Sequence, residues 1–210
     1  MLASGSGELS GTSIAPNPAS TMTAATASAS AGSTPLRIAT SGVGSATHMT
    51  LERFKAATGA NITHVPYRGG GALLPDLMGD NVNGAMTEFS TALPLHNDKK
   101  ARILAIASVH RSKLAPDIPT FDESGVKDFT AQSYIGVVAP AKTPADIVAA
   151  LEGAVQKGLA PGSPAAERLA TLGSEVATPE QMTAKGFADF INTDYEAMRA
   201  AAKLAGIQPT

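Results

Sequence analysis

The 210-residue chain contains no cysteine and no tryptophan, and aromatic residues make up only 4% of it. Without cysteine, the chain cannot form disulfides, thiolate nucleophiles or cysteine-ligated metal centres. The formal net charge is only -2, and no run of basic residues stands out. We therefore expect no nucleic-acid partner, because such proteins need a basic surface. The apolar fraction of 43% is sufficient for one or two buried cores.

The first 34 residues are dominated by Ala, Ser, Thr and Gly, and Glu8 is their only charged residue. They follow neither the helical nor the strand periodicity, so their composition predicts disorder. They also lack the basic start and continuous apolar stretch of a secretory signal peptide. Elsewhere, no stretch of the sequence approaches the roughly 18 apolar residues of a membrane span.

From Leu36 onward, short apolar runs alternate with helical patterns, which is typical of an α/β protein with a largely parallel sheet. The predicted helices are about Ala46–Ala57, a short helix within residues 71–79, and a helical turn at 91–96. The unbroken apolar runs at 101–108 and 133–140 indicate strands buried on both faces. The predicted strands are residues 36–39, 62–66, 82–89, 101–108 and 133–140.

The C-terminal third is predicted to be helical. Two capping-box patterns mark helix starts, one at Thr143, Pro144 and Asp146 and the other at Thr178, Pro179 and Gln181. Gly206 marks the end of the last helix. In the first of these helices the spacing predicts a buried stripe made of Ile147, Val148, Leu151, Ala154 and Val155.

Hydroxyl groups and glycines are concentrated after the first predicted strand, in the loop Ser41-Gly42-Val43-Gly44-Ser45-Ala46-Thr47-His48. Ser45 fits as a helix N-cap, and the glycines let the backbone turn and approach a ligand closely. The N–H groups of residues 46–48 then point outward at the positive end of the helix dipole, an arrangement typical of carboxylate or phosphate sites. The alternative interpretation is an ordinary capped turn without a ligand.

A second glycine-rich loop, Tyr67 to Gly71, follows the next predicted strand. The carboxyl ends of parallel strands meet at one edge of a sheet, so the two loops are expected to form a crevice of the kind that binds ligands in open α/β sheets. Arg68 is either an anion clamp there or a solvated surface charge. His48, at the third helical position, is expected to stay neutral because of the helix dipole and to donate to the loop, unless it is purely structural.

Other chemistries fit the sequence poorly. Neither glycine-rich loop ends in the Lys-Ser/Thr of a P-loop, and no G-x-S-x-G elbow follows a strand. The four histidines lack metal-ligand spacing, so we expect no metal site. The neighbouring carboxylates Asp76, Asp80 and Glu88 belong to different elements and do not form an acid/base pair.

Three motifs resemble the substrate-binding receptors of tripartite tricarboxylate transporters, the Bug-type periplasmic receptors: SGVGSATH at 41–48, VPYRGGG at 65–71 and SYIGVVAPAKTP at 133–144. The similarity runs from about Thr34 to the end of the chain. It implies an α/β fold of the periplasmic binding protein type II kind, whose two lobes close on a small carboxylate. It also implies a periplasmic, non-enzymatic receptor without a cofactor, which delivers its ligand to the membrane permease subunits of the transporter.

The resemblance also implies a set of ligand contacts, most of them in the two glycine-rich loops. Family members carry an aspartate at the cleft where this chain has Thr87, followed by Glu88. The implied ligand-binding residues are Ser41, Gly42, Gly44, Ser45, Thr47, His48, Tyr67, Gly69, Gly70 and Thr87.

The start of the chain departs from the family pattern. Family members begin with a strand and a loop that carries half of the carboxylate grip, and nothing in residues 1–34 resembles them. We therefore expect an N-terminally truncated receptor, with a fairly complete ligand-binding lobe at 35–130 and the C-terminal part of the other lobe at 131–210. Two alternatives stay open: an interaction module or decayed relic that pairs with another chain, including as a homodimer, and a hydrolase that uses Ser45 or His48.

Overall fold

A computed structural model describes residues 2–3, 34–131, 134–204 and 206. The chain divides into two compact units. The first unit comprises residues 1–133 together with 201–210, and the second comprises residues 134–200.

The first unit is built on a five-stranded sheet with the order β3-β2-β4-β1-β5. β2 pairs in parallel with β3 and β4, whereas β1 pairs antiparallel with β4 and β5. The parallel arrangement places the ends of β2, β3 and β4 at one edge, as the sequence predicts. The strands are β1 (Leu2–Ala3), β2 (Leu36–Thr40), β3 (Ile62–Pro66), β4 (Gly84–Ala85) and β5 (Arg102–Ile103).

The expectation of disorder for residues 1–34 is wrong for Leu2–Ala3, which pair with both β4 and β5. Local composition does not report this pairing, because the partner strands lie 80 to 100 residues further along the chain. Residues 4–33, on which the rest of that prediction falls, lie outside the described residues.

The helices of the first unit follow the strands that the sequence indicates. The predicted helix over 46–57 is confirmed, and it ends at Gly59, whose φ of 67° allows the left-handed cap. Pro75 lies in the first turn of its helix, where its missing N–H costs no hydrogen bond. The helices are α1 (Ala46–Thr58), α2 (Leu74–Met78, preceded by the 3-10 helix Gly70–Leu73) and α3 (Phe89–Asn97).

Two predicted strands are shorter in the structure. Residues 82–89 contain only β4, and one further ladder bond from the Met86 N–H to the Ala39 carbonyl (2.8 Å) extends it. Phe89 instead begins α3, which lets its side chain pack against the core. In the run 101–108 only β5 is a regular strand, followed by a parallel bridge between Ile106 and Thr120. The predicted burial of this run is nevertheless correct at Leu104 and Ala105.

Two apolar clusters fill the first unit. Successive residues of a strand face opposite sides of the sheet, and accordingly Ile38 belongs to one cluster and Ala39 to the other. The Leu73 cluster contains Leu73 and Leu77 from the segment after β3. The Phe54 cluster contains Phe54 of α1, which meets Phe121 and Phe129 edge-to-face with ring centroids 5.7 and 6.2 Å away. An aromatic contact thus joins α1 to the segment after β5 that contains Phe121 and Phe129.

The predicted buried strand at 133–140 is wrong for residues 134–140, which belong to the second unit. They are exposed and form no regular strand; Ile135 is 95% exposed and Val138 79%. One part of the segment is covered, because a Cβ at Gly136 would lie 2.0 Å from the Phe187 ring. Tyr134 also contacts the rings of Phe187 and Phe190 edge-to-face. Among the described residues of this unit, no strand pairs with the segment.

The second unit contains three helices: α4 (Ala145–Gly158), α5 (Pro164–Thr171) and α6 (Ala184–Leu204), the last of which ends in the first unit. The buried stripe predicted for α4 is wrong, since no residue of α4 is buried and Ile147 and Leu151 are 48% and 43% exposed. A helical stripe is buried only where another part of the chain packs against it. α4 also begins one residue later than predicted, with Pro144 at the N-cap position.

The second capping box forms the predicted hydrogen bonds. The Thr178 N–H donates to Gln181 Oε1 at 3.0 Å, and the Gln181 N–H donates to Thr178 Oγ1 at 3.3 Å. The regular helix itself starts later, at Ala184. Gly206 has a φ of 67°, and its N–H donates to the Lys203 carbonyl, which confirms the predicted helix end.

Candidate functional site

The two glycine-rich loops meet at the edge of the sheet where β2 and β3 end. The Gly69 N–H donates to the Ser41 carbonyl at 3.0 Å, and the Tyr67 N–H donates to the Thr40 carbonyl at the same distance. The structure therefore brings together the loop residues that the sequence singles out. Their assignment as ligand contacts stays a prediction.

The first turn of α1 is capped as the sequence predicts. Ser45 has extended backbone (φ −70°, ψ 161°), and its Oγ accepts a hydrogen bond from the His48 N–H at 3.2 Å. The same hydroxyl donates to the Gly42 carbonyl at 2.8 Å. Within the described residues, the N–H groups of Ala46 and Thr47 have no acceptor. These two donors are the groups of the first turn that remain for an anion.

Thr47 holds the loop rather than facing outward. It is buried, and its Oγ1 accepts a hydrogen bond from the Ser41 N–H at 3.0 Å and lies 2.9 Å from Ser45 Oγ. One threonine hydroxyl therefore ties both ends of the loop to the helix. The loop is therefore preformed, and the hydroxyls of Ser45 and Thr47 are bonded within it. Backbone N–H groups of the first turn then remain to bind an anion.

Glycine is required by the backbone at two positions of the first loop. Gly42 has a φ of 137°, and an added Cβ would lie 3.0 Å from the Tyr67 carbonyl oxygen of the second loop. Gly44 has a φ of 76°, although the space around it is open. Side chains other than glycine rarely adopt these conformations. The first glycine thus allows the turn and also the close approach of the two loops.

His48 is neutral, as predicted, but it plays the opposite hydrogen-bonding role. Its Nδ1 accepts a hydrogen bond from the Gly44 N–H at 3.1 Å, so the ring is an acceptor for the loop rather than a donor. Burial is the main cause that lowers the pKa of His48; nearby Glu52 opposes the shift, and Lys55 adds to it.

His64 of β3 stacks on His48, with ring centroids 3.9 Å apart and planes inclined by 13°. Its Nε2 lies 2.6 Å from Thr40 Oγ1 at the end of β2. Burial, and next the charge of His48, lower the pKa of His64 to about 4, while Glu52 opposes and Lys55 adds to the shift. The stacked pair therefore supports the loop as two neutral rings.

This pair predicts a loss of stability in mild acid. Between the unfolded value of 6.5 and the folded pKa of about 4, the unfolded chain binds a proton at His64 that the folded chain does not. The free energy of unfolding should therefore fall as the pH falls through this window, by at most about 1.4 kcal/mol per pH unit for each such proton. We expect denaturant titrations to show that the free energy of unfolding differs less between pH 7 and pH 5 for His64→Gln than for the wild type.

The exposed His110 provides the control for this measurement, since His110→Gln removes a histidine that lies outside the stacked pair. It should reproduce the wild-type difference between pH 7 and pH 5. Equal pH dependence of His64→Gln and the wild type would contradict the assignment to the stacked pair.

The second loop is shaped by Gly69, whose φ is 100°. The Tyr67 hydroxyl donates to the Asp76 carboxylate rather than to the first loop. Burial, and next this hydrogen bond, raise the pKa of Tyr67, and the same hydrogen bond lowers the pKa of Asp76. Arg68 is exposed. Tyr67 therefore supports the loop through Asp76, and its assignment as a ligand contact stays a prediction.

Glu88 is the site residue that the sequence reasoning missed. It occupies the N-cap position of α3, yet its carboxylate does not cap that helix. The Ser41 hydroxyl donates to its two oxygens at 3.2 and 3.3 Å, and the Thr87 hydroxyl donates to Oε2 at 3.1 Å. A Cβ at Gly70 would lie 2.8 Å from Oε2. The available signal was the position of Glu88 beside Thr87, the expected cleft residue.

The site thus offers backbone N–H donors, hydroxyls and one carboxylate. No group of three or more His, Asp or Glu side chains that could hold a metal ion occurs in the part of the chain that the structure describes. No helix within the described ranges is long and apolar enough to cross a membrane.

Comparison with known proteins identifies the family. The chain matches the tripartite tricarboxylate transporter family receptor over residues 11–202. The chain belongs to this family. The match begins earlier than the predicted start near Thr34. Protein BugT of Bordetella pertussis is 33% identical over 141 residues, which cover 66% of this chain and 43% of BugT.

Solved structures confirm the predicted fold. A protein from R. palustris with adipate has a TM-score of 0.78 and 29% identity, and the match covers all of this chain (100%) and 66% of that one. MatC from Rhodopseudomonas palustris with bound malate has a TM-score of 0.71 and 28% identity. This match covers 79% of this chain and 56% of the MatC chain. The fold of this family member is therefore that of the periplasmic binding proteins of the tricarboxylate receptor type. The chain spans less than half the length of two curated relatives that it matches, 45% of one and 43% of BugT.

Proposed function

We propose that this family member is a solute-binding receptor for a small carboxylate. The observation that carries the proposal is the preformed first turn of α1, where the N–H groups of Ala46 and Thr47 have no acceptor among the described residues. Amides at a helix start favour a bound carboxylate through their hydrogen bonds and the helix dipole. The adipate and malate bound to two structural relatives support a ligand of this class.

The arrangement of the loop side chains favours binding without chemistry. The Ser45 hydroxyl donates to the Gly42 carbonyl, and His48 Nδ1 accepts from the Gly44 N–H, so these two groups do not form a nucleophile and base pair. Nucleophilic catalysis needs the hydroxyl and the base within hydrogen-bond reach of each other. The chain is therefore proposed to be a receptor rather than an enzyme.

The further roles follow from the family. The receptor would deliver its ligand in the periplasm to the membrane permease subunits of a tripartite transporter. In this proposal residues 35–130 are the ligand-binding lobe, and 131–210 are the C-terminal part of the other lobe. The proposed contacts are the two glycine-rich loops and Thr87, with Thr47, His48 and Tyr67 acting through the shape of the loops.

Thermal unfolding against a panel of di- and tricarboxylates, acidic amino acids and aromatic acids tests the proposal. A ligand at 100 times its Kd should raise the melting temperature by roughly 5–10 °C. Thr47→Val keeps the side-chain shape but removes the acceptor of the Ser41 N–H, so the loop should lose its form. We expect this variant to be about 1–2 kcal/mol less stable and to lose the ligand response.

Thr50→Val is the matched control. Thr50 is buried one turn further along α1, and its hydroxyl donates only to the Ala46 carbonyl within the helix. This variant should keep the ligand response. If no carboxylate raises the melting temperature of the wild-type chain, the proposed function is wrong.

A second candidate, an interaction module that pairs with another chain, is favoured by one observation. The extended segment 134–138 exposes Ile135, Val137 and Val138 by 95%, 65% and 79%. Exposed apolar segments without a strand partner are places where another chain adds a strand. Light scattering after size-exclusion chromatography distinguishes the candidates, because a monomer at all concentrations would contradict the pairing.

A further inference from the structure

The carboxylate of Glu88 lies where three loops of the first unit converge. Ser41 follows β2, Gly70 follows β3 and Thr87 follows β4. All three are close to the carboxylate: both hydroxyls donate to it, and a Cβ at Gly70 would lie 2.8 Å from Oε2. Glu88 is half-buried in this position. The centre of the proposed half-site therefore contains a negative charge that belongs to the protein.

This charge has no cationic partner in the described part of the chain. The two hydroxyls are the groups that hydrogen-bond to it, and none of the ion pairs between described residues includes Glu88. An ordinary structural role as a helix N-cap does not account for the side chain, because it makes no capping bond to α3. Within the described residues, the charge of this half-buried carboxylate is therefore compensated by neutral hydroxyl donors and by no cation.

Ser41 connects the carboxylate to the proposed anion site. Its N–H is bound to Thr47 Oγ1 in the first turn of α1, and its hydroxyl is bound to Glu88. A ligand held by the N–H groups of that turn therefore has the Glu88 charge beside it. A second anionic group of the ligand would be repelled there, whereas an ammonium group would be attracted and could form a charge-assisted hydrogen bond.

We infer that Glu88 is a specificity-determining residue, which makes this site select a carboxylate that also carries an ammonium group over the same carboxylate without it. The inference rests on the proposed function and narrows its substrate class to amino acids. Attraction between the Glu88 carboxylate and an ammonium group of the ligand should give discrimination of at least about tenfold in Kd.

Calorimetry on the full chain tests the inference with three ligand pairs that differ only in the ammonium group. These pairs are aspartate and succinate, glutamate and glutarate, and phenylalanine and 3-phenylpropanoate. In the wild type we expect one amino acid to bind at least about tenfold more tightly than its partner. Glu88→Gln should reduce this ratio to near one or reverse it. Asp98→Asn is the charge-matched control, because Asp98 is an exposed residue paired with Lys100, and it should keep the wild-type ratio.

The outcomes separate the inference from the proposed function. If the wild type binds a deaminated partner as tightly as the amino acid, the inference is wrong and the proposed function stands. If Glu88→Gln tightens the binding of both ligands of a pair equally, Glu88 merely competes with the ligand carboxylate for the site. That result also overturns the inference. If neither chain binds any of the six compounds or any carboxylate of the melting panel, the proposed function and the inference are both wrong. The wild-type ratio decides the question even if the variant does not fold.

Discussion

Replacing Phe54 with alanine is expected to destabilise the first unit by about 3–5 kcal/mol. Phe54 is only 2% exposed and is the part of α1 that meets Phe121 and Phe129 edge-to-face. Truncation removes these ring contacts and leaves a cavity between α1 and the sheet. Because stabilities of domains are of the order of 5–15 kcal/mol, this loss is a large share of the free energy of unfolding.

Denaturant unfolding followed by circular dichroism measures this effect. Tyr195→Ala is the control, since Tyr195 is an aromatic residue that is 63% exposed, and its loss should change the free energy of unfolding by about 0.5 kcal/mol or less. A cost below about 1 kcal/mol for Phe54→Ala would show that α1 is not held by the aromatic cluster.

The second large effect is expected for Gly42→Ala. The substituted residue would have to keep a φ of 137°, and its Cβ would lie 3.0 Å from the Tyr67 carbonyl oxygen. Backbone strain of this kind costs about 1–3 kcal/mol, and the contact with a backbone atom cannot be relieved by a side-chain rotation. The two glycine-rich loops must then move apart, so we expect lower stability and a loss of the carboxylate response.

Gly71→Ala is the matched control for this variant. Gly71 lies in the neighbouring glycine-rich loop, with no heavy atom within 4 Å of an added Cβ and no positive φ. Alanine there should stabilise the chain by about 0.4–1 kcal/mol, because it restricts the unfolded state. Melting curves of both variants with and without ligand test the pair. Equal melting temperatures of the two variants would contradict the strain argument.

Local turn chemistry explains why most of the first loop could be predicted. An N-cap depends on residues within three positions of it, and accordingly Ser45 and its bond from the His48 N–H follow from the sequence alone. The left-handed cap at Gly59 and the reciprocal bonds of Thr178 and Gln181 are local in the same way. The family motifs are also local strings, and they are sufficient to identify the family and its α/β fold.

Contacts between distant residues could not be predicted in this way. Ser41 and Glu88 are 47 residues apart, and they meet only because β4 lies beside β2 in the sheet. The Tyr67 hydroxyl donates to Asp76, which lies nine residues further along the chain in α2. The exposure of residues 134–138 likewise depends on whether a strand is present beside them, which their apolar composition does not report.

The sequence by itself therefore determined the family, the helix cap at Ser45 and the glycine-rich turns of the loops, because each depends on a few consecutive residues. Only the tertiary structure decided which hydroxyls are used inside the loop, that His48 accepts rather than donates, and that a carboxylate stands beside the proposed anion site. The physical reason is that the charge and the hydrogen bonds of a site depend on residues that are neighbours in space. The order of the strands in the sheet determines which residues those are.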